Sequence, residues 1–230
     1  MTDGTYIEYA KLTLRDFTSS SEERRNLLVN EIADVEVKKV LDVGCGAGLQ
    51  LLPFAENKNS FCVGVDVGEE VGEVGNEIFR ERNLAGKGTF LRALGEKLPF
   101  ADESFEVVIC RVALPYMDNR QALSEISRVL KLKGKLFLKI HAPLFYFGMI
   151  KKRLKTLNPK QLAYPMICLT GGTISLLSGK HPNGNFWKGK EVYQTRGFLK
   201  KELDKNGLRI IKELPDTDKE TPSFLIEKVK

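Results

Sequence analysis

Apolar residues along this chain alternate between short runs and helical stripes. Val40–Val43, Phe61–Asp66, Gly88–Arg92, Phe105–Cys110, Lys135–Ile140, Leu208–Leu214 and Ser223–Val229 read as strands, with Gly88–Arg92 the weakest. Val107-Val108-Ile109 is unbroken, as expected of a parallel strand covered on both faces. Helix signals lie between these runs. Leu27, Leu28, Ile32 and Ala33 mark a helix over Glu22–Ala33, with Ser19–Ser21 as candidate N-caps. Leu49–Ala55 opens a second helix, and Glu69–Asn83 reads as a third despite two glycines. Asp118 caps a fourth, whose stripe is Leu123, Ile126, Val129 and Leu130 and whose stop is Gly134. Thr195–Asn206 reads as the last. Strands and helices in alternation predict an α/β fold with a doubly wound parallel sheet.

One segment has no place in that pattern. The insertion at 142–190 follows the fifth strand and is too apolar to be a disordered linker. Leu144-Phe145-Tyr146-Phe147-Gly148-Met149-Ile150 runs straight into Lys151-Lys152-Arg153-Leu154-Lys155, and Gln161 to Gly179 carries no charge. A membrane-spanning helix needs about 20 predominantly apolar residues. This stretch falls short and contains Pro165 and Gly171-Gly172, so a lid over a site is expected instead. The length fits a single domain over 1–230, with 1–36 as a helical cap at its start.

The chemistry starts at Val40-Leu41-Asp42-Val43-Gly44-Cys45-Gly46-Ala47-Gly48. In a βαβ unit this loop lies at the carboxyl end of the first strand, where open α/β sheets bind ligands. Gly44, Gly46 and Gly48 allow a tight turn and close approach of the backbone to a ligand. The spacing is G-x-G-x-G, not the G-x-G-x-x-G of dinucleotide folds. Asp42 would repel a pyrophosphate but suits an ammonium, which argues for S-adenosylmethionine over NAD. Asp66, at the end of the second strand, can accept both ribose hydroxyls or cap the next helix. Val67 behind it would pack on an adenine face.

With these residues the chain resembles the class I S-adenosylmethionine-dependent methyltransferases, in particular the group related to quinone-biosynthesis methyltransferases. The resemblance rests on Val40–Gly48, on Val63-Gly64-Val65-Asp66, on Gly95-Glu96-Lys97-Leu98-Pro99-Phe100 and its continuation to Val108, and on Glu125–Lys131 running to Gly134. It implies a Rossmann-like, mostly parallel seven-stranded sheet with an antiparallel final strand and a recognition insertion after strand five. Gly44 and Cys45 would offer backbone groups to the methionine part, and Asp42 would meet the ammonium. Relatives place an aspartate where this chain has Leu94, so the adenine edge would be read by the backbone of Leu94 and Gly95, with Glu96 as a substitute or facing water. Cys110 and Arg111 follow the fourth strand, where relatives line the sulfonium and the acceptor. Arg111 would give its carbonyl to the cofactor and its guanidinium to a substrate anion, or serve in an ion pair.

Hydroxyl and carbon acceptors need a proton removed, whereas amines and thiolates do not. His141, just after the fifth strand, is the base candidate. Tyr9, with Tyr6, could close over the site from the N-terminal segment, and His181 lies in the insertion. Cys45, Cys62, Cys110 and Cys168 form no C-x-x-C pair and read as reduced thiols of a cytoplasmic protein, and no metal site is expected.

The net charge of +6 hides a division. Residues 1–130 hold 15 basic and 22 acidic side chains, a net of −7, whereas residues 131–212 hold 18 basic and 3 acidic, a net of +15. The basic half points to an anionic substrate, surface or polymer. A small or lipid-like acceptor with peripheral contact to an anionic membrane fits the aromatic, lysine-bordered insertion. RNA or another polyanion is a weaker expectation, since no RNA-binding module is visible. A non-catalytic S-adenosylmethionine-binding protein is the third reading, from the missing acid at Leu94 and the lack of a histidine near Tyr116.

Overall fold

The computed structural model describes residues 3–154 and 159–230. Helix α1 (Asp3–Ser19) opens the chain, followed by two single turns, α2 (Glu22–Arg25) and α3 (Leu27–Asn30). The single helix expected over Glu22–Ala33 is thus broken at Asn26, which closes α2 and opens α3. Ser21 caps α2 as its type predicts, its hydroxyl accepting from the Arg24 N–H at 3.3 Å.

The sheet then assembles from β1 (Lys39–Val43), β2 (Phe61–Asp66), β3 (Gly88–Arg92), β4 (Phe105–Arg111), β5 (Leu130–Lys139), β6 (Leu208–Glu213) and β7 (Ser223–Lys228). Their order across the sheet is β3-β2-β1-β4-β5-β7-β6. The first five strands run parallel, and β7 is antiparallel to both β5 and β6. This is the doubly wound arrangement expected, with chain reversal between β3 on one side and β4 on the other of the β1–β2 pair. Helices α4 (Leu52–Asn57), α5 (Val71–Glu81), α6 (Asn119–Val129) and, later, α9 (Arg196–Lys205) cover its faces. Two apolar cores result. One lies under the N-terminal helices and α4–α5, around Phe54, Phe79, Phe90 and Phe137, and the other lies under α6 and α9, around Leu114, Leu123, Ile126 and Phe224.

Helix α6 stops earlier than Gly134. It ends at Val129, and Leu130 already pairs with Phe105 as the first residue of β5. Leu130 is buried in either role, so its apolar character prolongs the helical stripe without marking the boundary. The strand then bulges through Lys133, whose φ is +64°, before Lys135 resumes the register opposite Val107.

The 142–190 segment lies outside the sheet. It forms a helical hairpin, α7 (Pro143–Leu154) against α8 (Pro159–Ser178). No helix among the described residues is long and apolar enough to cross a membrane.

Candidate active site

The glycine loop lies at the carboxyl end of β1. Gly44, Gly46 and Gly48 have φ of +75°, +51° and +74°, the left-handed region that only glycine adopts without strain. A Cβ on Gly44 would also lie 2.2 Å from the Ala113 Cβ, so the loop after β4 packs directly on this backbone. The N–H groups of Gly44 and Cys45 both donate to the Val65 carbonyl, at 2.8 and 3.0 Å. These donors are therefore used by the sheet, not left for a ligand. The Gly46 N–H reaches Asp66 Oδ2 at 2.9 Å, and the Gly68 N–H reaches Oδ1 at 3.1 Å. Asp66 is thereby pinned between the glycine loop and the start of the β2–α5 connection. Each of its oxygens keeps a lone pair for a vicinal diol.

Asp42 is 3% exposed. Burial, and then the neighbouring Asp66, push its carboxyl up to about 8, against a smaller opposing pull from Arg111. Arg111, the cation that acts on Asp42, is itself bound to Asp216. Beyond Asp66, Val67 and Leu94 stand 57% and 56% exposed, two apolar surfaces at the ends of adjoining strands. Gly95 is buried against Met117 and Val43. Glu96 has a partner the sequence did not point to: its Oε1 accepts the Asp118 N–H at 2.9 Å and ties this loop to the start of α6.

Near the end of β4, Cys110 is fully buried and burial pushes its thiol up to about 12, so only its backbone can face a ligand. Arg111 does not reach for a substrate anion. Its guanidinium is bound to Asp216 and lies 3.2 Å from the Ser223 hydroxyl, with Lys139 also on Asp216 at 2.9 Å. The ion pair is the outcome, and its acid is 105 positions away in sequence. Val112, next in the chain, holds a φ of +64°, a strained value for a β-branched residue.

His141 sits in the second half of the site. Its Nδ1 lies 2.6 Å from Glu191 Oε2, and its ring stacks on Phe145 with centroids 3.9 Å apart. Glu191 also accepts from the hydroxyls of Tyr116 and Tyr146, both at 2.8 Å, and of Tyr164 at 2.7 Å. A chain of contacts joins this cluster to the glycine loop: Tyr116 closes the turn Leu114–Tyr116, which begins beside Ala113. His181 is elsewhere, near Met117 and Asp118, its Nδ1 buried without a partner and its pKa lowered mainly by burial. The side chains of Tyr6 and Tyr9, on α1, lie outside the described residues.

Sequence reasoning missed Glu191. A signal was present: it is the first acidic residue after Glu125, at the close of a long basic and neutral stretch. The insertion boundary at Lys190 stops one residue short of it.

Residues 41–138 match the family model described as a methyltransferase domain. The chain is 38% identical over 104 residues to the uncharacterized methyltransferase YcgJ of Bacillus subtilis, covering 45% of this chain and 40% of that protein. It is 33% identical over 99 residues to the sterol 4-C-methyltransferase strm-1 of Caenorhabditis elegans, covering 43% of this chain and 29% of the relative. It is 31% identical over 103 residues to the ubiquinone/menaquinone biosynthesis C-methyltransferase UbiE of Azotobacter vinelandii, covering 44% and 41% respectively. The matched stretch thus spans less than half the length of these relatives. The crystal structure of YcgJ superposes with a TM-score of 0.59 at 19% identity, covering 90% of this chain and 96% of that one, a likeness of fold. Over residues 41–138 the chain is therefore similar to methyltransferase domains, and its seven-stranded sheet with the reversed strand β7 has the fold of the solved YcgJ structure.

Proposed function

We propose that the protein transfers a methyl group from S-adenosylmethionine to a hydroxyl or an acidic carbon of a small, lipid-like acceptor. The observation that carries this reading is the buried imidazole of His141 at the carboxyl end of β5, anchored through Nδ1 on Glu191. An acceptor that is already nucleophilic needs no such group, whereas a phenol, enol or carbon acid does.

The site residues fit the cofactor on their own chemistry. Asp42 is a buried acid on which the pull of Arg111 is smaller than the effect of burial and of Asp66, and the amino acid ammonium would complete it. Asp66 would take the ribose hydroxyls, and Val67 with Leu94 would flank the adenine. When bound, S-adenosylmethionine supplies an electrophilic methyl on a sulfonium. The loop Cys110–Tyr116 and the hairpin α7–α8 would hold the acceptor and exclude water, and His141 Nε2 would receive the acceptor proton as the new bond forms.

A lipid-like acceptor is favoured by the hairpin itself. Phe147, Met166, Ile174 and Leu177 stand exposed, Leu177 at 82%, in a region bordered by Lys151 and Lys152. The sterol and quinone-pathway relatives point the same way. Incubation with methyl-labelled S-adenosylmethionine and whole-cell extract tests the reading. Label is expected in the organic phase, and its loss on His141→Ala marks the base. Label confined to nucleic acid would replace the acceptor class with a polyanion, and cofactor binding without label in any fraction would make the protein a non-catalytic binder.

A further inference from the structure

Glu191 is the most heavily bonded carboxylate of the acceptor half. It is 5% exposed, and each of its oxygens accepts two bonds: Oε2 from His141 and Tyr146, Oε1 from Tyr116 and Tyr164. The four donors come from four places. Tyr116 and His141 belong to the sheet's carboxyl edge, after β4 and β5, while Tyr146 and Tyr164 belong to the two helices of the hairpin. All four bonds are 2.6–2.8 Å long. The carboxylate is held at about 2 despite its burial, chiefly by the bonds from His141, Tyr164 and Tyr146, and the three phenols are pushed up, so they remain donors. With four donors around it, the carboxylate stays ionised near neutral pH. It dictates where its neighbour's proton stands.

We propose that Glu191 is a positioning residue that fixes His141 as the Nδ1–H tautomer, leaving Nε2 as the lone-pair nitrogen toward the acceptor, and that it does so only while the α7–α8 hairpin is docked. Tyr146 and Tyr164 fill half of the carboxylate's bonds, so undocking the hairpin strips two donors from it. The freed oxygens then take water, and the imidazole loses its fixed partner geometry. The base is thereby oriented by closure of the same element that covers the acceptor. The inference rests on the proposed function only for its catalytic consequence; the tautomer and its coupling to the hairpin are properties of the ligand-free chain.

The chain holds 2 histidines, so the imidazole nitrogens of His141 can be resolved and assigned by 15N NMR, with His141→Gln as the assignment control. The expected wild-type pattern at pH 8 is a protonated Nδ1 and an unprotonated Nε2. Glu191→Gln is expected to shift His141 toward the Nε2–H tautomer and to lower label transfer at least tenfold, with cofactor affinity by calorimetry within about twofold of wild type. Tyr146→Phe combined with Tyr164→Phe removes the hairpin donors without touching the dyad. It is expected to broaden or mix the His141 tautomers, and it serves as the test should Glu191→Gln not fold. A wild-type His141 in the Nε2–H form, or a tautomer unmoved by every one of these variants, overturns the proposal. A correct tautomer response with no methyl transfer in any fraction would instead leave the positioning role standing and overturn the function proposed above.

Discussion

At the scale of single residues, the two acids beside the glycine loop behave oppositely because their surroundings differ. Asp66 is satisfied by two backbone N–H groups, whereas Asp42 is buried beside it with its carboxyl pushed up to about 8. Asp66→Ala should weaken S-adenosylmethionine binding by ten- to a hundredfold, about 1.5–3 kcal/mol for bonds to a charged group, with the fold retained. Calorimetry decides this, and an unchanged Kd would place the ribose elsewhere. Asp42 carries a pH signature. Its folded value stands above the ordinary 3.8, so ionising it costs stability, a cost absent below about pH 4 and complete above about pH 8. Asp42→Asn should therefore raise the melting temperature of the free protein at pH 8 and hardly at pH 4. Cofactor affinity of the wild type should climb from pH 6 toward 8, as the carboxyl ionises for the ammonium, and the Asn variant should lose that climb. These two acids and the glycine loop were legible because they are local in sequence. Arg111 and Glu191 were not, because their partners are up to 105 and 75 positions away. No periodicity reports which distant acid will meet which base.

At the scale of elements, strands were easier to read than helix ends. A strand buried on both faces is a continuous apolar run, and its neighbours in the sheet share that mark. Helix α6 shows the difficulty at the other extreme. Its start is chemically labelled, since the Asp118 carboxylate accepts the N–H groups of Arg120 and Gln121, both at 3.1 Å. Its end has no such label, because Leu130 suits both the stripe and the strand that follows. Asp118→Ala should cost about 1 kcal/mol in chemical denaturation. The Glu96 bond to the Asp118 backbone survives that change, so cofactor affinity should stay within about twofold. A larger loss of affinity would mean that the cap, not Glu96, holds the loop after β3 in place.

At the scale of the whole molecule, charge is divided between the two halves: −7 over residues 1–130 and +15 over residues 131–212. The hairpin adds an apolar surface to the basic half. We expect binding to vesicles containing anionic phospholipid and not to neutral ones, weakening as salt rises. Each lysine near such a surface contributes about 1 kcal/mol, so Lys151→Ser with Lys152→Ser should weaken binding roughly 30-fold. Leu177→Asp should weaken it also at high salt, where the lysines no longer matter. Absence of vesicle binding, with tight and salt-steep RNA binding instead, would sink the lipid reading.

The position of Glu191 in the chain gives the hairpin a history. The ribosome makes α7 and α8 first and their anchoring carboxylate only afterwards. At about 5–20 residues per second, Tyr146 waits roughly 2–9 s for Glu191 and Tyr164 roughly 1–5 s. During that interval Tyr146 and Tyr164 have no acceptor in the emerging chain, and both helices show their apolar sides to whatever is nearest. A lipid bilayer or a chaperone close to the exit tunnel would meet the hairpin before the rest of the domain does. The order of synthesis thus makes the hairpin a late part of this cluster to be locked, with its apolar sides open to their surroundings in the meantime.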